Sequence, residues 1–188
     1  MILLLSLWAL YFILHSLLAA EPVKHWFQSV SGISRQAYRI IYNLFNLAGL
    51  VGLLWFHIRF VSPAVYNSTT AIMIAGAVVT LAGLTIMIQS AREYELSSFL
   101  GLSKETNMPL QIKGLHKYMR HPLYSGTILF FTGICIAVPF YKNWYLLLLM
   151  TVYIFIGMWL EEKKLIDVFG DEYRDYMRRV KRLIPGIL

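Results

Sequence analysis

The densest chemistry in the chain lies between Gly114 and Gly126, which read GLHKYMRHPLYSG. Two imidazoles (His116, His121), a guanidinium (Arg120) and two phenols (Tyr118, Tyr124) precede a strongly apolar run. Pro122 falls where the first turn of a helix would begin, a position at which its missing N–H costs nothing. A helix N-terminus presents unpaired N–H groups and the positive end of the helix dipole. The cluster therefore suits a small polar ligand bearing a carboxylate or phosphate, with Arg120 or a histidine as its counter-charge. The same residues also read as a basic juxtamembrane segment with interfacial aromatics. His116, His121 and Glu161 match no metal-ligand spacing. No G-x-G-x-x-G, G-x-x-x-x-G-K-[ST] or G-x-S-x-G occurs, which leaves a dinucleotide fold, a P-loop and a hydrolase elbow unsupported.

The elements that must position these residues are membrane helices. In 188 residues, 58% are hydrophobic and 14% charged, the balance of an integral membrane protein with room for a single transmembrane domain over 1–188. The one cysteine, Cys135, lies in an apolar run, which excludes a disulfide framework. Five runs approach the ~20 residues needed to cross a bilayer: about 1–20, 37–57, 69–91, 123–141 and 144–160. The first lacks a basic leader and reads as a retained anchor rather than a cleaved signal. In the third, Gly76, Thr80 and Gly83 form a small-residue stripe that would let a neighbouring helix approach closely. Lys142-Asn143 leaves room only for a tight hairpin between the last two. His57, Trp55 and Tyr66 read as interfacial belt residues. His15 and Ser16, inside the first span, read either as a functional polar pair or as an interhelical hydrogen bond.

Fifteen of the seventeen lysines and arginines fall in the connections 21–36 and 92–122, at the start of the second run, or after the fifth; only Arg59 and Lys142 lie on the other side. The net charge of +7 is thereby explained by the positive-inside rule without a nucleic-acid partner. The expected fold is all-α, five transmembrane helices, with the N-terminus outside and the motif and C-terminus cytoplasmic. Residues 161–188 continue as an amphipathic helix interrupted near Gly170, either resting on lipid or folded as a lid over the motif.

R-H-P-x-Y-x-G, then Glu161-Glu162, then Phe169-Gly170-x-Glu172-Tyr173-x-x-Tyr176-x-x-x-Val180 and Ile184-Pro185, resembles the isoprenylcysteine carboxyl methyltransferase family and its phospholipid methyltransferase relatives. The resemblance covers about residues 90 to 186. His15-Ser16, Lys24 and Tyr38-Arg39-x-x-Tyr42-Asn43 are similar to the methanethiol S-methyltransferases and the denitrification-associated membrane proteins related to them. The resemblance implies a methyltransferase using S-adenosylmethionine, with cofactor contacts at Leu110, Gln111, His116, His121, Pro122, Tyr124 and Glu161; Arg120 would meet the cofactor's carboxylate. It names no catalytic acid, base or nucleophile. The Gly-x-Tyr that often precedes this motif is here Gly114-Leu115-His116.

Adjacent helical residues point about 100° apart, so Glu161 and Glu162 cannot serve one ligand together. Glu161 continues the stripe Tyr153, Gly157 and is expected to face the ligand, with Glu162 turned away. In the isoprenylcysteine enzymes the resemblance places an arginine for the substrate carboxylate where this chain has Gly157. A side-chain-free position suits a small thiol, with Gly157 and Tyr153 beside it. Carboxyl methylation of a prenylated cysteine and phospholipid N-methylation are the nearest alternatives; an NADPH-dependent sterol-type reductase and a non-catalytic membrane protein stand further off. The bilayer and a small or lipophilic methyl acceptor are the expected partners, and a prokaryotic inner membrane the expected location.

Overall fold

The structure, a computed structural model, describes residues 1–92, 110 and 112–187. Every element among them is helical, and backbone pairing outside helices is confined to two isolated bridges. The described residues fall into two compact units, 1–62 and those from 63 onward.

The first unit holds α1 (Ile2–Ala19), α2 (Glu21–Ser31) and α3 (Arg35–Arg59). The connection between the first two expected spans is thus itself largely helix. Pro22 sits in the first turn of α2, and Gly32, at φ 69°, closes it in the left-handed conformation that glycine adopts without strain. Ser34 caps α3 by accepting from the Ala37 N–H. Buried and half-buried polar side chains pin α1 to α3. The Trp8 indole donates to His57 Nδ1 at 3.2 Å, the Tyr38 hydroxyl to the Leu18 carbonyl at 2.8 Å, and the Tyr42 hydroxyl to the His15 carbonyl at 3.2 Å. His57 is therefore not a belt residue, because an indole can only donate and the ring is buried to accept from it. The His15 ring lies 5.8 Å from that of Tyr42.

The second unit holds α4 (Thr70–Ala91), a single turn of tighter helix at Gly114–Lys117, α5 (Pro122–Ala137), α6 (Tyr141–Phe169) and α7 (Asp171–Arg179). The expected small-residue stripe is the seam between α4 and α5. A Cβ on Gly76 would strike the backbone of Gly133 and Ala137, and one on Gly83 the backbone of Gly126 and Phe130. Gly126 and Gly133 reciprocate against Gly83, Met87, Gly76 and Thr80. The two backbones meet because no side chain keeps them apart.

Among the described residues, four helices, α1, α3, α4 and α6, are long and apolar enough to cross a membrane. α5 is apolar but only 16 residues long, about 24 Å, and stops at Ala137 instead of reaching 141. Pro139 is the reason: it cannot continue a helix and pushes Val138 out of helical geometry, to φ −127° and ψ 76°. The freed Val138 carbonyl accepts from the Asn143 side chain at 2.7 Å. α6, at 29 residues, outruns its apolar stretch and carries the glutamate pair past Leu160 in unbroken helix. It ends at Gly170, whose φ of 56° separates it from α7.

A candidate ligand site at the Arg-His-Pro motif

Three segments distant in sequence converge at the motif. The first is 114–122 itself. Gly114, at φ 55°, lets the chain enter the tight turn, and His116 is buried with its carbonyl accepting from the Tyr176 hydroxyl at 2.6 Å. Pro122 starts α5 and is among the most deeply buried residues of the protein. The second is the last turns of α6. The third is the stretch after α7, which lies parallel to the motif: the Arg120 N–H donates to the Lys181 carbonyl at 2.8 Å and the His121 N–H to the Arg182 carbonyl at 3.0 Å. The Ser125 hydroxyl reaches the Leu183 carbonyl at 2.8 Å. Tyr173, Tyr176 and Val180 form the apolar support beneath, with Leu110 and Phe169 packed against them.

Glu162 is the centre of the charge cluster. Its Oε1 lies 3.1 Å from Arg120 Nη2 and accepts from His121 Nε2 at 3.2 Å. Its Oε2 accepts from Arg182 Nε and Nη2 at 3.0 and 2.7 Å, a bidentate fork. Glu162 lies beyond the apolar run that ends at Leu160. Burial alone would push its carboxyl up, but the hydrogen bonds from His121 and Arg182, reinforced by the charges of Arg120 and Arg182, hold it down to about 2. The fully buried Tyr173 phenol shifts the other way, pushed up by burial and then by the nearby Glu162 charge.

Two features of this cluster point to a ligand. Arg120 keeps its side chain 8% exposed, yet its Nε and Nη1 have no hydrogen-bond partner among the described residues. A buried guanidinium with open N–H groups is a receptor for an anion, and leaving it empty costs the desolvation of those donors. Glu161 supplies the opposite sign at the rim: it is 45% exposed, with Oε2 3.7 Å from His121 Nδ1. The Tyr124 ring lies 5.5 Å from that of His121. An anion receptor and an accessible carboxylate beside two ring faces can hold a zwitterion.

One part of the helical-face expectation for the glutamate pair is corrected: Glu162 is not turned away but buried at the centre of the cluster. The buried face of α6 repeats every four residues through Leu146, Met150, Ile154, Met158 and Glu162, so Glu162 points inward and Glu161 outward. Sequence reasoning could have found this by extending the 146–158 stripe one more turn. Arg182, the strongest partner of Glu162, carries no local signal. Gly157 and Tyr153 sit one and two turns before Glu161 on α6, and a Cβ on Gly157 would meet nothing within 4 Å. Gln111 lies outside the described residues. No group of three His, Cys, Asp or Glu side chains is arranged to hold a metal ion among the described residues. An open cleft of about 440 Å³ beside the turn is lined by Gln89, Arg92, Leu115, Lys117 and Tyr118, but by none of the charged cluster.

Comparison with known proteins bears on this geometry. Methanethiol S-methyltransferase 1 of Bradyrhizobium diazoefficiens is 33% identical over 96% of this chain and 65% of its own length. A second enzyme of that organism, methanethiol S-methyltransferase 2, is 29% identical over 97% of the chain and 72% of its own length. The methanethiol S-methyltransferase of Crocosphaera subtropica is 29% identical over 92% and 70%. The chain thus spans about two thirds of the length of these relatives. No solved structure matches it. Residues 2–185, which include both units and all three segments of the charged cluster, match the family described as NnrU protein, and the chain belongs to that family.

Proposed function

We propose that this chain is a membrane methyltransferase that uses S-adenosylmethionine to methylate a small thiol. The observation that carries the reading is the buried Arg120 guanidinium with two N–H groups open, set beside the accessible Glu161 carboxylate. That pair is complementary to the carboxylate and ammonium of an amino-acid moiety, which S-adenosylmethionine possesses. The relatives, named as methanethiol S-methyltransferases, support the thiol as acceptor.

When bound, S-adenosylmethionine supplies an electrophilic methyl group. The chain's residues then have three tasks. Arg120 and Glu161 fix the amino-acid end, while the ring faces of His121 and Tyr124 are suited to lie near a sulfonium charge. Leu110, Gln111, His116 and Pro122 complete the proposed contacts. Tyr173, Tyr176 and the 180–183 segment close the floor and exclude water, as methyl transfer requires alignment and dryness more than acid or base groups. Gly157 leaves open space beside Tyr153 where an anionic acceptor would need a cation, and this favours a small neutral or thiol acceptor. We assign α5 as a fifth span of one transmembrane domain in a prokaryotic inner membrane, with the motif and C-terminus cytoplasmic, on the distribution of lysine and arginine.

Two measurements test the reading. S-adenosylhomocysteine at a hundred times its Kd should raise the stability of the purified protein by about 2.7 kcal/mol, and NADPH should not; the reverse result would replace the methyltransferase by a reductase. Membranes carrying the protein, supplied with methyl-labelled S-adenosylmethionine, should label methanethiol in preference to a farnesylcysteine analogue. Turnover on the prenylated compound alone would sink the thiol assignment.

A further inference from the structure

We propose that α2 is an interfacial helix, lying on the bilayer with Trp26, Phe27 and Val30 seated among the lipid headgroups and the first carbons of the acyl chains. The partner is the lipid surface. At about 100° per residue, Val23, Trp26, Phe27 and Val30 share one arc of the helix and Glu21, Lys24 and Gln28 the opposite one. A helix packed on a soluble core would bury the first arc and wet the second. Here the order is reversed. Trp26 is 59% and Val30 70% exposed, whereas the Lys24 side chain is only 17% exposed. The polar arc is tied back to the protein: Lys24 Nζ pairs with Glu21 Oε1 at 2.9 Å, and Glu21 Oε2 with Arg35 Nη2 of α3 at 3.0 Å. Phe27 leans on α3, its ring 5.6 Å from that of Tyr38, and the exposed Trp26 ring packs edge-on against Phe27.

What covers the apolar arc follows from connectivity. α2 starts two residues after α1 ends and stops four residues before α3 begins, and both neighbours are long and apolar enough to cross a membrane. Short links to two spanning helices hold α2 at the membrane surface, the depth at which tryptophan and amphipathic helices settle. Lys24, Arg35 and Arg39 at the same end add attraction for anionic headgroups. This assignment does not depend on the methyltransferase reading.

The test uses the full chain in a Cys135→Ser background, reconstituted in vesicles of phosphatidylcholine and phosphatidylglycerol. Single cysteines at positions 25, 26, 29 and 30 carry a nitroxide, and its collisions with oxygen and with a water-soluble nickel chelate are compared. Positions 26 and 30 should favour oxygen, at a depth of about 5–10 Å below the surface, and positions 25 and 29 should favour nickel. Nickel reaching 26 and 30 as readily as 25 and 29 would overturn the proposal. So would exclusion of both reagents from 26 and 30, which would put a second copy or another part of the chain over that face. A label-free arm compares tryptophan fluorescence of the parent protein and Trp26→Tyr in lipids brominated near the headgroup end of the chains. The emission lost in the variant should be the strongly quenched part; if that difference emission is unquenched, Trp26 is not in lipid.

Discussion

The seam between α4 and α5 and the cluster around Glu162 hold the second unit together by opposite means. At the seam, Gly76, Gly83, Gly126 and Gly133 bring two backbones into contact, and specificity comes from side chains that are missing. At the cluster, Arg120, His121 and Arg182 converge on one carboxylate, and specificity comes from charges that must be matched in number and sign. A seam of glycines tolerates no added atom but bears no electrostatic cost. A buried charge cluster accepts modest changes of shape but not the loss of a partner. The seam is also closed, whereas the cluster leaves two Arg120 nitrogens open. One is closed on itself, and the other leaves donors unmatched.

The largest effect that separates the two is expected at Glu162. Glu162→Ala leaves the buried Arg120 and His121, with the part-exposed Arg182, around a void and should destabilise the protein by about 3–5 kcal/mol, read as a fall in thermal midpoint of the detergent-purified chain. Glu162→Gln, which keeps the acceptors' shape, should cost less. Because the Glu162 carboxyl is held down to about 2 against a reference of 4.5, its contribution is complete above about pH 4.5 and fades as pH falls toward 2. The acid limb of the stability curve should therefore flatten in Glu162→Gln.

Next comes the seam. Gly133→Leu should cost about 1–3 kcal/mol through overpacking against Thr80 and Gly76, while Gly52→Ala, at a site with nothing within 4 Å, should be neutral or stabilise slightly. Equal losses at 133 and 52 would show that close approach does not hold α4 to α5. Arg120→Ala should lower affinity for S-adenosylhomocysteine by about ten- to a hundredfold, the worth of a charge-assisted hydrogen bond of roughly 1.5–3 kcal/mol. Its effect on the thermal midpoint should be smaller than that of Glu162→Ala, since His121 and Arg182 remain on the carboxylate. Glu161→Ala should have the smallest structural effect, with no shift in midpoint and a loss confined to ligand titration. Matching midpoint shifts for Glu161→Ala and Glu162→Ala would erase the distinction between rim and centre.

The seam was legible in the sequence and the cluster only in part, for physical reasons. A small-residue stripe is a local pattern, and Gly76, Thr80 and Gly83 declare it at helical spacing. Pro122 and Gly170 likewise announce their places through backbone constraints that hold in any context. The rotational phase of α6 was less accessible, because residues 144–160 are apolar on nearly every side and several stripes compete for the buried face. The stripe read at spacing four, Tyr153, Gly157, Glu161, is one residue out of phase with the buried one. Pro139 carried the early end of α5 in plain view, but the apolar run continuing to Tyr141 masked it. Arg182 was out of reach: its partner is 20 residues away across the Gly170 break, and the extended pairing that brings it home leaves no periodic trace. α2 was hidden because a short connection between two apolar runs, carrying Glu21, Lys24, Gly32 and Arg35, reads as a loop, whereas its polar arc faces the protein.

The parallel docking of Lys181, Arg182 and Leu183 against Arg120, His121 and Ser125 also sets an order of assembly in the cell. Synthesis is vectorial, at about 5–20 residues per second, so α4, α5 and α6 are made before the residues that complete the motif exist. Until Arg182 emerges, Glu162 has two of its three partners and the backbone N–H groups of Arg120 and His121 lack the carbonyls they bind in the finished protein. A ribosome that stalled before Lys181 would release a chain with α1, α3, α4 and α6 made and the charged cluster unfinished. Completion of the charged cluster thus waits on residues made after the apolar helices, and a translation product whose helices are all made does not by that fact hold the finished cluster.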